Sequence, residues 1–326
     1  MSILITGGAG YIGSHMVYAA LARGTRVIVL DNLVTGVRAL VAEGAEFYQG
    51  DAGDMELVSG IIGDESVEAV IHFAGSVVVP DSVADPLSYY ANNTAVARNL
   101  LEACVKGGVK NFIFSSTAAV YGTPDHNPVT EDTPLHPINP YGRSKLMTEW
   151  MLADTARAHD FRYVALRYFN VAGGDPEGRT GQSTPRATHL IKRACQAALG
   201  RVPALEIFGT DFPTADGTGV RDYIHVTDLV AAHAHALDHL AQGGESVTLN
   251  CGYGHGFSVR EVIDTVAKVA GDKIPTREAP RRAGDPAELV ADSAKLKSKF
   301  GWRPAHDDLD EIVATAFNWE KRLNSA

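Results

Sequence analysis

Tyr141 and Lys145 stand four residues apart in Pro140-Tyr141-Gly142-Arg143-Ser144-Lys145, a spacing that can turn a phenol into a base. Asn139 is a good N-cap and Pro140 suits a first helical position, so the sequence predicts a helix that begins here and runs past Leu146 and Trp150 towards His159. Side chains at i and i+4 lie one above the other on a helix, which would bring the phenol and the ammonium together. A free tyrosine has a pKa of about 10, and lowering it by roughly 3 units takes about 4 kcal/mol in favour of the phenolate. A unit charge about 4 Å away supplies roughly that much at an effective dielectric of about 20. Tyr141 is therefore a candidate general base and Lys145 the charge that tunes it. A lone Y-x-x-x-K is more often a surface tyrosine with a solvated lysine one turn on, so the elements around it decide.

The first of those elements is Ser2 to Thr6, a short apolar run that leads into Gly7-Gly8-Ala9-Gly10-Tyr11-Ile12-Gly13 and then a helical pattern stopped at Gly24. Strand, glycine turn and helix in this order let the backbone approach a diphosphate, which the helix N-terminus attracts. Arg26 to Leu30 follows as a strand ending in Asp31, 18 residues after Gly13. An acidic group there accepts hydrogen bonds from an adenosine ribose and repels a 2′-phosphate, which favours NAD over NADP, although Arg38 lies close by in sequence. Strand-length and helical patterns go on alternating through Glu46–Gln49, Met55–Ile62 and Ala69–Phe73, which predicts an α/β, doubly wound, Rossmann-type parallel sheet. Asp51 and Phe73-Ala74-Gly75 then fall along the carboxyl edge where such sheets bind ligands; Asp51 is equally readable as an adenine contact or a helix N-cap. A helix over Asn92–Lys106 leads to a buried strand, Asn111–Ser115, with Ser115-Ser116-Thr117 at the same edge. Thr117 precedes Tyr141 by 24 residues across a Pro-rich loop long enough to cover a site. Tyr163–Arg167 reads as the sixth strand, with Tyr168-Phe169-Asn170 at its end.

With 326 residues the chain exceeds a usual single core. A cofactor domain over 1–168, rejoined by about 220–252, and a smaller α+β lobe over 169–219 and 253–326 are expected. Helices at His189–Leu199, Asp228–Leu240 and Ser258–Ala270 belong to this second half, the last with a capping box at Ser258 and Glu261. The formal charge of -10 argues against nonspecific nucleic-acid or anionic-membrane binding. Cys104, Cys195 and Cys251 read as buried free thiols, and no signal peptide or membrane span is legible, so a cytoplasmic location is expected. Pro280-Arg281-Arg282-Ala283-Gly284-Asp285 is a basic cluster suited either to a diphosphate or to an exposed loop. His233, His235 and His239 are not read as a metal site, because H-x-H on a helix faces two directions.

These residues carry a family resemblance over nearly the whole chain. The motifs are TGGAGYIGSH from Thr6, LDN from Leu30, HFAG from His72, YYANN from Tyr89, NFIFSSTAAVYG from Asn111, PYGRSK from Pro140, RYFN from Arg167, GTGVRDYIHV from Gly217 and APRRAGDPA from Ala279. The sequence resembles the extended short-chain dehydrogenase/reductase family and, within it, the UDP-glucose 4-epimerases. That resemblance implies tightly held NAD, a UDP-sugar substrate and a homodimer joined through the helices at Asn92–Gly107 and Pro140–His159. It implies Tyr141 as base, Lys145 as its tuning charge and ribose contact, and Thr117 as a bridge to the sugar 4-hydroxyl. Gly7, Gly10, Tyr11, Ile12 and Gly13, Asp31 and Asn32, and Asp51 and Ala52 would hold the adenosine diphosphate half of NAD. Phe73, Ala74, Gly75, Asn92, Ser115 and Tyr168 would complete the cofactor site with Tyr141 and Lys145. Asn170, His189, Leu190, Phe208, Arg221 and Arg282 would hold UDP, with Asp285 on its ribose. Thr117 stands where serine is frequent, Val77 where some members have lysine, and His189 where some have asparagine. Leu289 stands where some carry a bulky tyrosine, which implies a wider sugar pocket.

The chemistry implied is removal of the 4-hydroxyl proton with hydride transfer to NAD, a 4-keto sugar, and hydride return to its other face. A 4,6-dehydratase would need a further acid and base, and Thr117-Ala118-Ala119 offers neither. Epimerisation of UDP-N-acetylglucosamine, of a UDP-pentose or of a UDP-uronate remains open from sequence, as does a non-catalytic NAD-binding redox sensor.

Overall fold

Every residue of Ser2–Thr6 (β1) is buried, and side-chain alternation sends Ile3 and Ile5 into one core and Leu4 into another. A strand apolar on both faces needs cover on both sides, as parallel sheets do. The computed structural model describes residues 1–184, 187–282 and 285–323; Ala283 and Gly284 of the basic cluster and the last three residues of the expected second lobe lie outside them. With β2 Arg26–Asp31, β3 Glu46–Gln49, β4 Ala69–His72, β5 Asn111–Thr117, β6 Arg162–Tyr168 and β7 Val247–Cys251, the sheet runs β7-β6-β5-β4-β1-β2-β3, all parallel. Strand order reverses between β1 and β4, which opens a crevice at their carboxyl ends. Helices Tyr11–Ala22 and Val226–Ala241 cover one face; Met55–Asp64, Val96–Lys106 and Pro140–Ala158 cover the other.

The helix Pro140–Ala158 begins as its sequence requires: the Asn139 side chain accepts from Gly142 N at 2.8 Å, and Pro140 opens the first turn. Two expectations are corrected. The stretch expected as one helix from Asn92 begins as a π-helix, Tyr90–Ala95, before the α-helix Val96–Lys106; the wider turn accompanies Asn93 bonding outward to Ser76 and Ser144. Asp51 is not the cap of the helix Met55–Asp64, because Asp54 accepts from Glu56 N and Leu57 N and fills that role.

The second half packs helices Leu190–Ala198, Val259–Ala270 and Leu309–Arg322 against one another. The Ser258–Glu261 capping box starts the second of these, and Gly271 in the left-handed region (φ 77°) ends it. Small sheets join distant segments: Asn170–Ala172 with Tyr223–His225, Leu205–Phe208 with Thr276–Ala279, and Val220–Arg221 with Phe257–Ser258 and Glu288–Leu289. The Pro-rich loop after Thr117 reaches this half, where Val129 N donates to Val290 O at 2.8 Å and Asp292 N to Val129 O at 2.7 Å. Among the described residues no helix is long and apolar enough to cross a membrane.

Candidate active site

β5 ends in Thr117, and the first turn of the helix Pro140–Ala158 sits against it, so the Thr117 hydroxyl comes near enough to the Tyr141 phenol to pull its pKa down. Tyr141, Lys145 and Thr117 are all buried. Lys145 Nζ donates to Ser115 O at 3.0 Å and lies 4.9 Å from the centre of the Phe114 ring. Burial pushes the Tyr141 phenol above its usual pKa, against the Thr117 hydrogen bond. A lowered phenol is therefore not what the polypeptide alone produces. Desolvation outweighs the hydrogen bond, and burial also brings Lys145 down to about 8, which weakens its hold on the charge that was to do the lowering. Tyr168 hydrogen-bonds Ser115 and lies near Tyr141, and burial raises its pKa as well.

The glycine turn is built for close approach. Gly7 has φ 71°, and a Cβ there would lie 2.7 Å from Ala74 N; a Cβ on Gly13 would lie 2.1 Å from Gly7 O. Helix Tyr11–Ala22 starts at Gly10 with no side chain capping it, which leaves its first-turn N–H groups for an anion. Tyr11 turns its hydroxyl away to Gly173 O at 2.7 Å, so it and Ile12 offer this turn their backbone. Asp31 accepts from Ala9 N at 2.9 Å and Leu33 N at 2.8 Å, which fixes its carboxylate at the end of β2. Asn32 Nδ2 donates to Asp51 at 3.2 Å beside buried Ala52. Arg38 stacks over Phe47, 4.2 Å from the ring centre. Phe73, Ala74 and Gly75 follow β4, with Gly75 next to Lys145, and Asn92 Nδ2 donates to Ser76 Oγ at 2.8 Å. Bare glycine backbone, uncapped N–H groups and a ribose-height carboxylate fit a dinucleotide such as NAD.

In the second half of the chain, Arg282 lies over Phe208, 4.7 Å from the ring centre, and its Nε donates to Asp285 at 2.9 Å. Arg221 is close enough to feel both: burial lowers its pKa, Asp285 raises it and Arg282 lowers it further. Phe208, Arg221, Arg282 and Asp285 thus form one group. Asn170, exposed at the end of β6, and His189 and Leu190, at the start of the helix Leu190–Ala198, line a neighbouring cavity with Tyr223 and Trp319.

The sequence reading overlooked a buried polar layer beneath these groups. Asn93 Oδ1 accepts from Ser76 N at 2.7 Å, and its Nδ2 donates to Ser144 Oγ at 3.0 Å, tying the loop after β4 to the helix that carries Tyr141. Glu149 accepts from Ser116 Oγ and from Arg167 Nη2 at 2.6 Å, while Arg167 Nη1 donates to Tyr121 Oη at 3.0 Å. Tyr121 in turn donates to Asn250 Oδ1 at 2.6 Å. Asn93, Ser116, Tyr121, Ser144 and Arg167 sit in the quoted motifs, whereas Glu149 and Asn250 lie outside them and carried no signal. His233 Nε2 lies 3.2 Å from Ser115 Oγ, whereas His239 Nε2 meets Glu245 O at 2.9 Å, so these histidines serve separate local contacts.

Residues 3–252 match the NAD dependent epimerase/dehydratase family. A UDP-glucose 4-epimerase of Azospirillum brasilense is 55% identical over 324 residues, covering 99% of this chain and 93% of that protein. A crystal structure of a UDP-glucose 4-epimerase superposes with a TM-score of 0.97 at 48% identity, covering 100% of this chain and 99% of that one. That of the Brucella ovis UDP-glucose 4-epimerase in complex with NAD does so with a TM-score of 0.95 at 44% identity, covering 98% of each. By that match and these relatives, and with the glycine cradle and the buried Thr117, Tyr141 and Lys145 in place, the chain belongs to the NAD dependent epimerase/dehydratase family.

Proposed function

We propose that this chain interconverts UDP-glucose and UDP-galactose at C4 through Tyr141, Thr117 and Lys145, with NAD held on the Gly7–Gly13 turn and UDP on the Arg221–Arg282 side. The enzyme is an NAD-dependent isomerase, a UDP-hexose 4-epimerase. The observation that carries the residue assignment is the burial of Thr117, Tyr141 and Lys145 together where β5 meets the first turn of the helix Pro140–Ala158, with the Thr117 hydroxyl acting on the phenol and Lys145 Nζ held on Ser115 O at 3.0 Å.

Thr117 passes the proton of the sugar 4-hydroxyl to Tyr141, which holds it during the keto stage and gives it back. NAD held there would supply the acceptor and donor of the C4 hydride and a cationic ring whose charge would add to that of Lys145 in stabilising the phenolate. Gly7, Gly10 and Gly13 with Tyr11 and Ile12 hold the diphosphate; Asp31 and Asn32 the adenosine ribose; Asp51 and Ala52 the adenine. Phe73, Ala74, Gly75, Asn92, Ser115 and Tyr168 line the nicotinamide half. Arg221 and Arg282 hold the substrate diphosphate while the sugar turns over; Asn170, His189 and Leu190 support it, and Phe208 and Asp285 hold the uridine. In this reading the seven-stranded sheet is the cofactor lobe, and 169–219 with 253–326 form the sugar lobe.

Leu289 favours a second substrate. It is buried in one apolar cluster with Ala118, Val120, Leu146 and Phe169, and a leucine at this place takes less space than the tyrosine that some family members carry, which favours an N-acetyl group on C2. Two chains pair through the helices Val96–Lys106 and Pro140–Ala158: Trp150 is 57% exposed beside an apolar groove lined by Tyr90, Ala95, Met147 and Met151. Three buried thiols, Cys104, Cys195 and Cys251, support a cytoplasmic location.

The test is to incubate purified protein with UDP-glucose and, separately, UDP-N-acetylglucosamine, with no added cofactor, and to resolve the products. Formation of the 4-epimer supports the reading. No product even after NAD is supplied rejects it.

A further inference from the structure

His189 stands exposed at the start of the helix Leu190–Ala198, and its Nδ1 lies 2.7 Å from Gln182 Nε2. An amide nitrogen can only donate, so His189 Nδ1 must accept, and in a neutral ring the proton then sits on Nε2. Gln182 itself is buried and braced: Lys192 Nζ donates to Gln182 O at 2.6 Å and to Glu320 Oε2 at 2.7 Å, and all three residues are less than 9% exposed. His189, unlike Gln182, Lys192 and Glu320, is exposed, and it lines the same cavity as they do. The same cavity, about 20 Å³, is lined by Asn170, Gln182, Leu190 and Tyr223.

We infer that Gln182 is a positioning residue for substrate binding: it fixes His189 as an Nε2–H donor aimed at an oxygen of the nucleotide-sugar diphosphate. The inference rests on the placement of UDP proposed above. Glu320 and Lys192 hold the Gln182 backbone, Gln182 occupies the Nδ1 edge, and the remaining edge meets the ligand as a neutral donor. The imidazole then does the work of a side-chain amide N–H and stays uncharged.

Two measurements test this. Long-range 1H–15N spectra of the ligand-free holoenzyme at pH 7.5 should show His189 as the neutral Nε2–H form; the Nδ1–H form would overturn the inference whether or not UDP binds. The second is a double-mutant cycle on UDP affinity, in which Gln182→Leu should weaken UDP by about 3- to 10-fold, the cost of roughly one hydrogen bond. KM for the UDP-sugar should rise by the same factor with kcat held. In a His189→Ala background the Gln182 substitution should add nothing. An equal loss in both backgrounds, or none in the first, would show that Gln182 does not act through His189. Should Gln182→Leu fail to fold, Gln182→Met keeps the length and removes the donor, so UDP affinity should fall by the same factor; unchanged affinity would overturn the inference. Absence of UDP binding in the unsubstituted protein would count against the proposed substrate site instead, leaving the tautomer result to stand by itself.

Discussion

A buried phenol is a poor base until something offsets its desolvation, and Tyr141 has only the Thr117 hydrogen bond pulling its pKa down while burial pushes it up. The chain therefore assigns the remaining work to Lys145 and to the cofactor's charge, which makes proton removal and cofactor occupancy inseparable. Tyr141→Phe keeps the ring and deletes the proton carrier. Its rate of UDP-galactose formation should fall by about 10²- to 10⁴-fold while UDP still binds, and a rate within tenfold of the unsubstituted enzyme would remove Tyr141 from the mechanism. Gly13 makes a different demand, since a Cβ there would lie 2.1 Å from Gly7 O, a backbone atom that can yield only by opening the turn. Gly13→Ala should leave the sheet folded but lose copurifying NAD, read as nucleotide released from acid-denatured protein. Full retention would mean that the turn is not the diphosphate cradle.

At the scale of the element, the helix Pro140–Ala158 buries Tyr141, Lys145, Glu149 and Leu152 on one stripe, a polar group in each of its first turns. Glu149 answers Arg167 on β6, and although burial works against the guanidinium, the Glu149 carboxylate holds its pKa above the usual value. Glu149→Leu would strand a buried arginine and should cost about 3–5 kcal/mol in denaturant unfolding; adding Arg167→Met should recover most of it. A Glu149→Leu protein as stable as its parent would mean the pair carries no such burden. This pairing also marks the limit of what the sequence disclosed. β1, β2, β4, β5 and β6 were legible because each carries an apolar run bounded by turn residues, β3 only through its place in the alternation, and the Thr117–Tyr141 meeting followed from the fifth crossover. Glu149 and Arg167 lie on an ordinary-looking helix and strand whose facing depends on that crossover. Thr276–Ala279 has no apolar run at all; it becomes a strand only because Leu205–Phe208, some seventy residues earlier, presents an edge to it. The wide turn at Tyr90–Ala95 is equally invisible, since an apolar spacing near 3.6 does not register one added residue.

Over the whole molecule, four histidines are folded into the interior as neutral groups. His15, His72, His225 and His233 are each less than 5% exposed, and burial lowers their pKa values to about 4, 3, 3 and 4. They sit where the two halves meet the sheet: His15 on the helix of the glycine turn with its Nε2 unpartnered, His225 stacked on His306 at 4.7 Å, His72 at the end of β4 and His233 against Ser115. An unfolded chain takes up these protons near pH 6.5, while the folded chain refuses them until about pH 4 or below. The histidines therefore cost nothing above pH 6.5, and each removes up to about 1.4 kcal/mol of stability per pH unit as the pH falls from there towards its folded value. The salt-bridged carboxylates of Asp175 and Glu102, held below their usual pKa, lose stability in the acid range as well. Asp222, raised by burial, works the other way, but it is one group against several. The thermal midpoint should hence fall only slightly from pH 8 to 7, where Lys145 is still taking up its proton, and fall steeply between pH 6.5 and 5, with NAD released in the same interval because His15 and His72 belong to the helix and strand that flank the glycine turn. A midpoint that stays level down to pH 5 would mean that these rings are already protonated in the folded protein, and His15→Gln, which cannot titrate, should make the acid decline measurably shallower.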